Sequence, residues 1–156
     1  MLEIVKLNSS MEKELESFFI DVSNKDGYTN YYYPYTLTQE TAKELCNLSG
    51  KDLHYVLKDN NKILGHGMLR GWDEGYDIPS LGIVIHPNVS NRGLGTMFVR
   101  FLHSAAWLRG CSKIRLSVHK NNKTAFNIYK KLGYVFVSKN KEELTGILLK
   151  REFNYR

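Results

Sequence analysis

The stretch Leu81-Gly82-Ile83-Val84-Ile85-His86-Pro87, followed by Ser90-Asn91-Arg92-Gly93-Leu94-Gly95-Thr96, decides how this chain is read. An apolar run that stops at a proline predicts a buried strand. Leu94, Met97, Phe98, Phe101, Leu102, Ala105 and Leu108 then form one apolar stripe, which predicts a helix closed by Gly110. A glycine-bearing turn joins the two. That layout suits an anion, because the first N–H groups of a helix lack intrahelical partners and sit at the positive end of its dipole. Gly93 and Gly95 carry no Cβ, so backbone and ligand can approach closely.

Upstream, Leu2 to Leu7 alternates apolar and charged residues as a half-buried strand does. Ser9 with Glu12 fits a capping box ahead of Leu15, Phe18, Phe19 and Val22 at helical spacing. A tyrosine-rich connection from Gly27 to Tyr35 leads to a second helix at Thr38 to Leu48, with Gly50 as its terminator. His54 to Leu57 and Ile63 to Leu69 flank Asp59-Asn60-Asn61, a hairpin signal. Arg70 to Pro79 is a polar loop. Downstream, Lys113 to Val118 alternates as a strand, Thr124 to Leu132 is helical with Gly133 behind it, and Tyr134 to Val137 and Leu144 to Phe153 are strands. The order β-α-α-β-β-β-α-β-α-β-β predicts a single α/β (α+β) domain: a mixed, mostly antiparallel sheet of about seven strands with helices on both faces.

With 156 residues, 42% of them hydrophobic and 24% charged, the chain suits one globular domain. The 22 Lys and Arg against 16 Asp and Glu leave +6, an excess that would suit nucleic acid, a membrane surface or an anionic small molecule. No run of five basic residues and no nucleic-acid motif accompanies that charge, so no nucleic-acid partner is expected. The N-terminus is interrupted by charge too early for a signal segment and no apolar run reaches membrane-spanning length, so the expected location is cytoplasmic with no membrane partner. Cys46 and Cys111 lack paired spacing; both are expected reduced, with no metal site.

Two well-known nucleotide loops do not fit. A dinucleotide fingerprint needs a small residue where Phe98 stands, and a Walker loop needs Gly-Lys-Ser/Thr, which never occurs. Instead, strand Ile114 to Val118 is followed by Asn122, Ala125, Tyr129, Gly133 and Tyr134 at fixed offsets, with Ala125 and Tyr129 one helical turn apart. From Ser80 to Tyr134 the chain resembles the GNAT superfamily of acetyl-CoA-dependent N-acetyltransferases. Its pattern runs Gln/Arg-x-x-Gly-x-Gly/Ala at the start of one helix and Asn-x-x-Ala-x-x-x-Tyr along the next. Ser90 stands where Gln or Arg is usual.

The resemblance implies acetyl-CoA as cosubstrate. The amides of Arg92, Gly93, Leu94, Gly95 and Thr96 would hold its pyrophosphate. The pantetheine would lie along Leu81 to Ile85, against Ile83, Val84 and Ile85. Asn122 would bond the pantetheine arm or the neighbouring loop, and Tyr129 would point at the thioester sulfur as acid for the departing thiolate. A backbone N–H on Ile83 to Ile85 would bind the tetrahedral oxyanion. A base must deprotonate the incoming ammonium; Glu74, the candidate catalytic partner of Tyr129, shares that candidacy with Asp73, Asp77, His86 and His119, or with a water chain to a more distant acid.

Tyr32 and Tyr33 of the tyrosine-rich connection, with Arg70, Trp72 and Asp73, are the candidate acceptor-binding residues, an aromatic wall and a mixed-charge loop. Their loops look like those of GNAT proteins of amino-sugar and surface-polysaccharide synthesis. A nucleotide-linked amino sugar is therefore the first acceptor considered, ahead of polyamines, amino acids and protein N-termini. The reading is a monomeric or homodimeric N-acetyltransferase in which a small-molecule amine attacks the thioester directly in a ternary complex. Its rivals are a non-catalytic acyl-CoA-binding module and a basic nucleic-acid-binding domain.

Overall fold

The computed structural model describes residues 1–31 and 34–151. Tyr32, Tyr33 and the end of the last predicted strand, Phe153, lie outside the described residues. The chain runs β1 (Leu2–Lys6), a 3-10 turn (Ser9–Met11), α1 (Glu12–Asn24), α2 (Gln39–Cys46), β2 (Leu53–Asp59), β3 (Lys62–Arg70), β4 (Ser80–Ile85) and a second 3-10 turn (Pro87–Val89). It continues with α3 (Leu94–Leu108), β5 (Lys113–His119), α4 (Lys123–Lys131), β6 (Val135–Ser138) and β7 (Glu143–Leu149).

Seven strands form one sheet in the order β1-β2-β3-β4-β5-β7-β6. Every neighbouring pair is antiparallel except β4 and β5, which are parallel. Alternation along the strands splits the core. Leu81 belongs to a buried cluster with Phe98, Leu102, Ile114 and Leu116, and Ile83 and Ile85 pack against it with the apolar face of α4. Val84 joins Val56 and Ile63 in a second cluster with Leu15, Phe18 and Phe19 of α1 and Ala42 of α2. Helices α1 and α2 thus cover one face and α3 and α4 the other, as a sheet with two apolar sides requires.

Local signals fared unevenly. Thr38 caps α2 through its hydroxyl, 3.1 Å from the Thr41 N–H, and Asn60 takes φ 53° at the β2–β3 turn. The capping box at Ser9 and Glu12 does not form: Asn8 caps the 3-10 turn instead, and α1 starts at Glu12 with no side-chain cap. Gly50 does not terminate α2, which ends at Asn47; it is glycine because a Cβ there would overlap the Asp73 carboxylate. Among the described residues no helix is long and apolar enough to cross a membrane.

Candidate active site

Strands β4 and β5 share one registered pair, Ser80 with Arg115, at their N-terminal ends. Beyond it they diverge, and the C-terminal half of β4 has no strand partner on that side. His86 donates its N–H to Leu64 on β3 at 2.7 Å. Antiparallel bonding alternates, so Val84 also bonds β3, while Ile83 and Ile85 turn their backbone groups toward the gap. Val84, expected beside its neighbours, therefore offers the gap neither backbone nor side chain. The gap opens at the carboxyl ends of two parallel strands, where α/β sheets place ligands.

Above it stands the β4–α3 turn. The Ser90 hydroxyl donates to the Pro87 carbonyl at 2.9 Å and closes the turn. This is what serine does where the motif usually carries Gln or Arg. Asn91 (φ 61°) and Gly93 (φ 80°) take left-handed conformations, and the chain enters α3 with no side-chain cap and no acidic residue in its first turn. The N–H groups of Arg92, Gly93, Leu94, Gly95 and Thr96 make no hydrogen bond within the described residues. A Cβ at Gly93 would meet nothing within 4 Å, and one at Gly95 only Ile85 at 3.7 Å. Packing does not demand glycine at Gly95, whereas an anion bound against those amides would.

On the other side of the gap, Asn122 caps α4 by accepting the Ala125 N–H at 3.3 Å, and Lys130 and Lys131 complete its last turn. Tyr129 is half-buried and meets the ring of Tyr134 edge-on, with centroids 5.5 Å apart. Tyr134 is tied to α3, its hydroxyl 2.8 Å from His103 Nε2. Burial pushes the Tyr129 phenol up to about 12 and holds the His103 imidazole down to about 4. Tyr129 is thus a neutral donor at physiological pH, and its hydroxyl has no hydrogen-bond partner among the described residues.

The acceptor-side candidates separate. Because β3 and β4 are antiparallel, the Arg70–Pro79 connection sits at the N-terminal end of β4, roughly 17 Å of strand from the glycine turn. Glu74 is exposed in that connection, as is Asp77. The Asp73 carboxylate accepts the Lys51 and Asp52 N–H groups at 2.6 and 3.2 Å, which hold it below the usual carboxylate range. Trp72 packs on the core with the Arg109 guanidinium 4.4 Å from its ring centroid. The proximity of this loop to the mouth, expected from sequence nearness, is lost because the strand between them is extended. Arg70 reaches the Pro34 carbonyl at 3.5 Å. Among the described residues no group of His, Cys, Asp and Glu could hold a metal ion.

Tyr28, Tyr31 and Tyr35, expected with Tyr32 and Tyr33 to form an aromatic wall over the acceptor, make three long-range contacts that no local pattern shows. The Tyr28 hydroxyl donates to the Ile85 carbonyl at 2.5 Å, and burial raises its pKa while the Ser90 hydroxyl offsets part of that rise. Tyr31 stacks on His119, centroids 4.7 Å apart, at the end of β5. Tyr35 bonds His66 Nδ1, and His66 Nε2 lies 3.2 Å from His54 Nδ1. Two histidines at buried strand positions were the available signal for the last.

A family model described as acetyltransferase (GNAT) family matches residues 11–134. An acetyltransferase of Pectobacterium atrosepticum is 31% identical over 83 residues, 53% of this chain and 57% of its own length, so this chain spans little more than half of that relative. A GNAT-family acetyltransferase structure from Streptococcus pneumoniae superposes with TM-score 0.78 at 22% identity, covering 96% of this chain and 99% of that one. A PaiA N-acetyltransferase from Thermoplasma acidophilum, in complex with coenzyme A, does so with TM-score 0.76 at 16% identity, covering 96% and 99%. The family match spans both the amide-lined turn and Tyr129, and this chain belongs to the acetyltransferase (GNAT) family.

Proposed function

We propose that the protein transfers an acetyl group from acetyl-CoA to a primary amine by direct attack in a ternary complex. The observation that carries the reading is the set of unpartnered amides from Arg92 to Thr96 at the mouth of the β4–β5 gap, with the Tyr129 hydroxyl on the gap's other flank. Those amides hold the pyrophosphate, with Arg92 close by, and the gap-facing groups of Ile83 and the Ile85 N–H pair with the pantetheine arm. Acetyl-CoA supplies the acetyl group as an activated thioester. Tyr129 gives its proton to the departing thiolate, and a gap-facing N–H of Ile83 or Ile85 bonds the oxyanion.

Direct attack is supported by the two cysteines. Cys46 and Cys111 are buried, and burial raises both thiols, to about 11 for Cys46, so neither is an activated nucleophile. The acceptor is a small-molecule amine, with nucleotide-linked amino sugars tested first. Tyr28 and Tyr31, anchored at the ends of β4 and β5, are two described members of the loop that would shape its site. The test follows free thiol from acetyl-CoA across amino sugars, polyamines, amino acids and peptides with free N-termini. Thiol release with an acetylated product supports the reading. Acetyl-CoA binding without transfer to any amine favours a sensor.

A further inference from the structure

An ammonium must lose its proton before it can attack, and the acids and bases first considered for that task are occupied or remote. Glu74 and Asp77 lie at the far end of β4, and Asp73 is bonded to two backbone N–H groups. His86 accepts the Asn88 N–H on Nδ1, so its Nε2 carries the proton it donates to Asp21 at 3.0 Å. His119 likewise accepts the Asn121 N–H on Nδ1, which leaves the neutral ring a donor at Nε2.

One buried chain remains on the α1/α2 side. His66 stands opposite Val84, one residue short of the gap-facing Ile85, and is wholly buried. Its two ring nitrogens meet Tyr35 and His54, and the two imidazoles stack with centroids 5.4 Å apart. His54 is opposite Met68, further from the mouth. Three charged groups face the chain: Asp52 and Asp73, which favour a proton on His54, and Arg70, which opposes one on either ring. Phe19 packs an uncharged ring on Tyr35 from α1. Burial keeps both histidines neutral, so each has one bare nitrogen with which to accept.

Resting on the acetyltransferase reading, we propose that the hydrogen-bonded chain Tyr35–His66–His54 conducts the acceptor's ammonium proton away from the mouth toward Asp52 and Asp73. The ammonium N–H bond breaks as its proton passes to the Tyr35 oxygen, whose own proton moves to His66 Nδ1. His66 releases its Nε2 proton to His54 Nδ1, and His54 releases its Nε2 proton to water beside the exposed Asp73. One proton enters and one leaves, with no change in oxidation state. Exchange of one proton with water at each end resets the ring tautomers after products depart. Tyr35 is the catalytic member, and the histidines act through it.

The test compares an alkylamine acceptor, chosen from those the wild type acetylates, with its oxyamine isostere (–O–NH2 for –CH2–NH2), which is unprotonated at neutral pH. Tyr35→Phe removes the entry hydroxyl and its bond to His66, and His54→Gln cuts the exit. At pH 7 each variant should lose about 10- to 100-fold in kcat/KM with the alkylamine and under about 3-fold with the oxyamine. The alkylamine deficit should shrink as pH rises toward the amine's pKa, with acetyl-CoA affinity unchanged. Equal deficits for both acceptors at every pH, or none for either, overturn the relay. A wild type that acetylates neither acceptor, nor any other amine, overturns the acetyltransferase reading and the relay together.

Discussion

On the flank of the gap built from α3 and α4, the groups that matter are brought together by local structure: Asn122 bonds Ala125 three residues on, and the free amides belong to consecutive residues. On the α1/α2 flank the contacts are long-range. Tyr28 reaches Ile85 across 57 residues and Tyr35 reaches His66 across 31. The difference follows from what each flank binds. A phosphate is recognised by main-chain geometry, which a short motif can specify, whereas an acceptor amine is recognised by side chains that only the assembled sheet can juxtapose.

The largest expected effect lies on the local flank. Tyr129→Phe should lower kcat by about 10² to 10⁴ with the acetyl-CoA Kd unchanged, since a general acid contributes in that range. A kcat unchanged across pH would move the acid's role to the other flank and erase the contrast.

Legibility in the sequence divides along the same line. The succession of strands and helices along the chain, the hairpin at Asn60, the turn at Gly93 and the helix carrying Tyr129 are all written in periodicity, punctuation and short motifs. Sequence nearness points the Arg70–Tyr76 loop toward the mouth, although an extended β4 carries it to the other end. The histidine chain left only a faint trace, two histidines in otherwise apolar strands, because its bonds depend on the β2–β3 register. Gly50 has the local look of a helix stop, since nothing near it in sequence reveals that Asp73 presses on it from a distant loop.

Acid should weaken both flanks. His54 and His103 are each held from 6.5 down to about 4, so the unfolded chain binds protons first as pH falls. Stability is full above pH about 6.5 and declines toward pH 4, by about 3 kcal/mol for each histidine at 1.36 kcal/mol per pKa unit. Denaturant melts at pH 7, 5.5 and 4.5 read this directly. His54→Gln and His103→Gln should each remove a part of the decline, with buried His66 contributing in the same direction, and a flat profile would contradict the neutral burial of all three. The smallest effect belongs to the far loop: Glu74→Gln should change kcat/KM by less than about 2-fold, as an exposed residue away from the chemistry does. A tenfold loss would return that loop to the mouth.

The central claim is that the amides opening α3 hold the donor's pyrophosphate, and Gly95→Val tests it most directly. The new Cβ would meet protein only at Ile85, 3.7 Å away, so the fold should survive with an unchanged Tm. Calorimetric titration with acetyl-CoA should then give a Kd about 10- to 100-fold weaker than wild type, a loss of about 1.4 to 2.7 kcal/mol. A folded variant that binds acetyl-CoA as tightly as wild type would contradict the account.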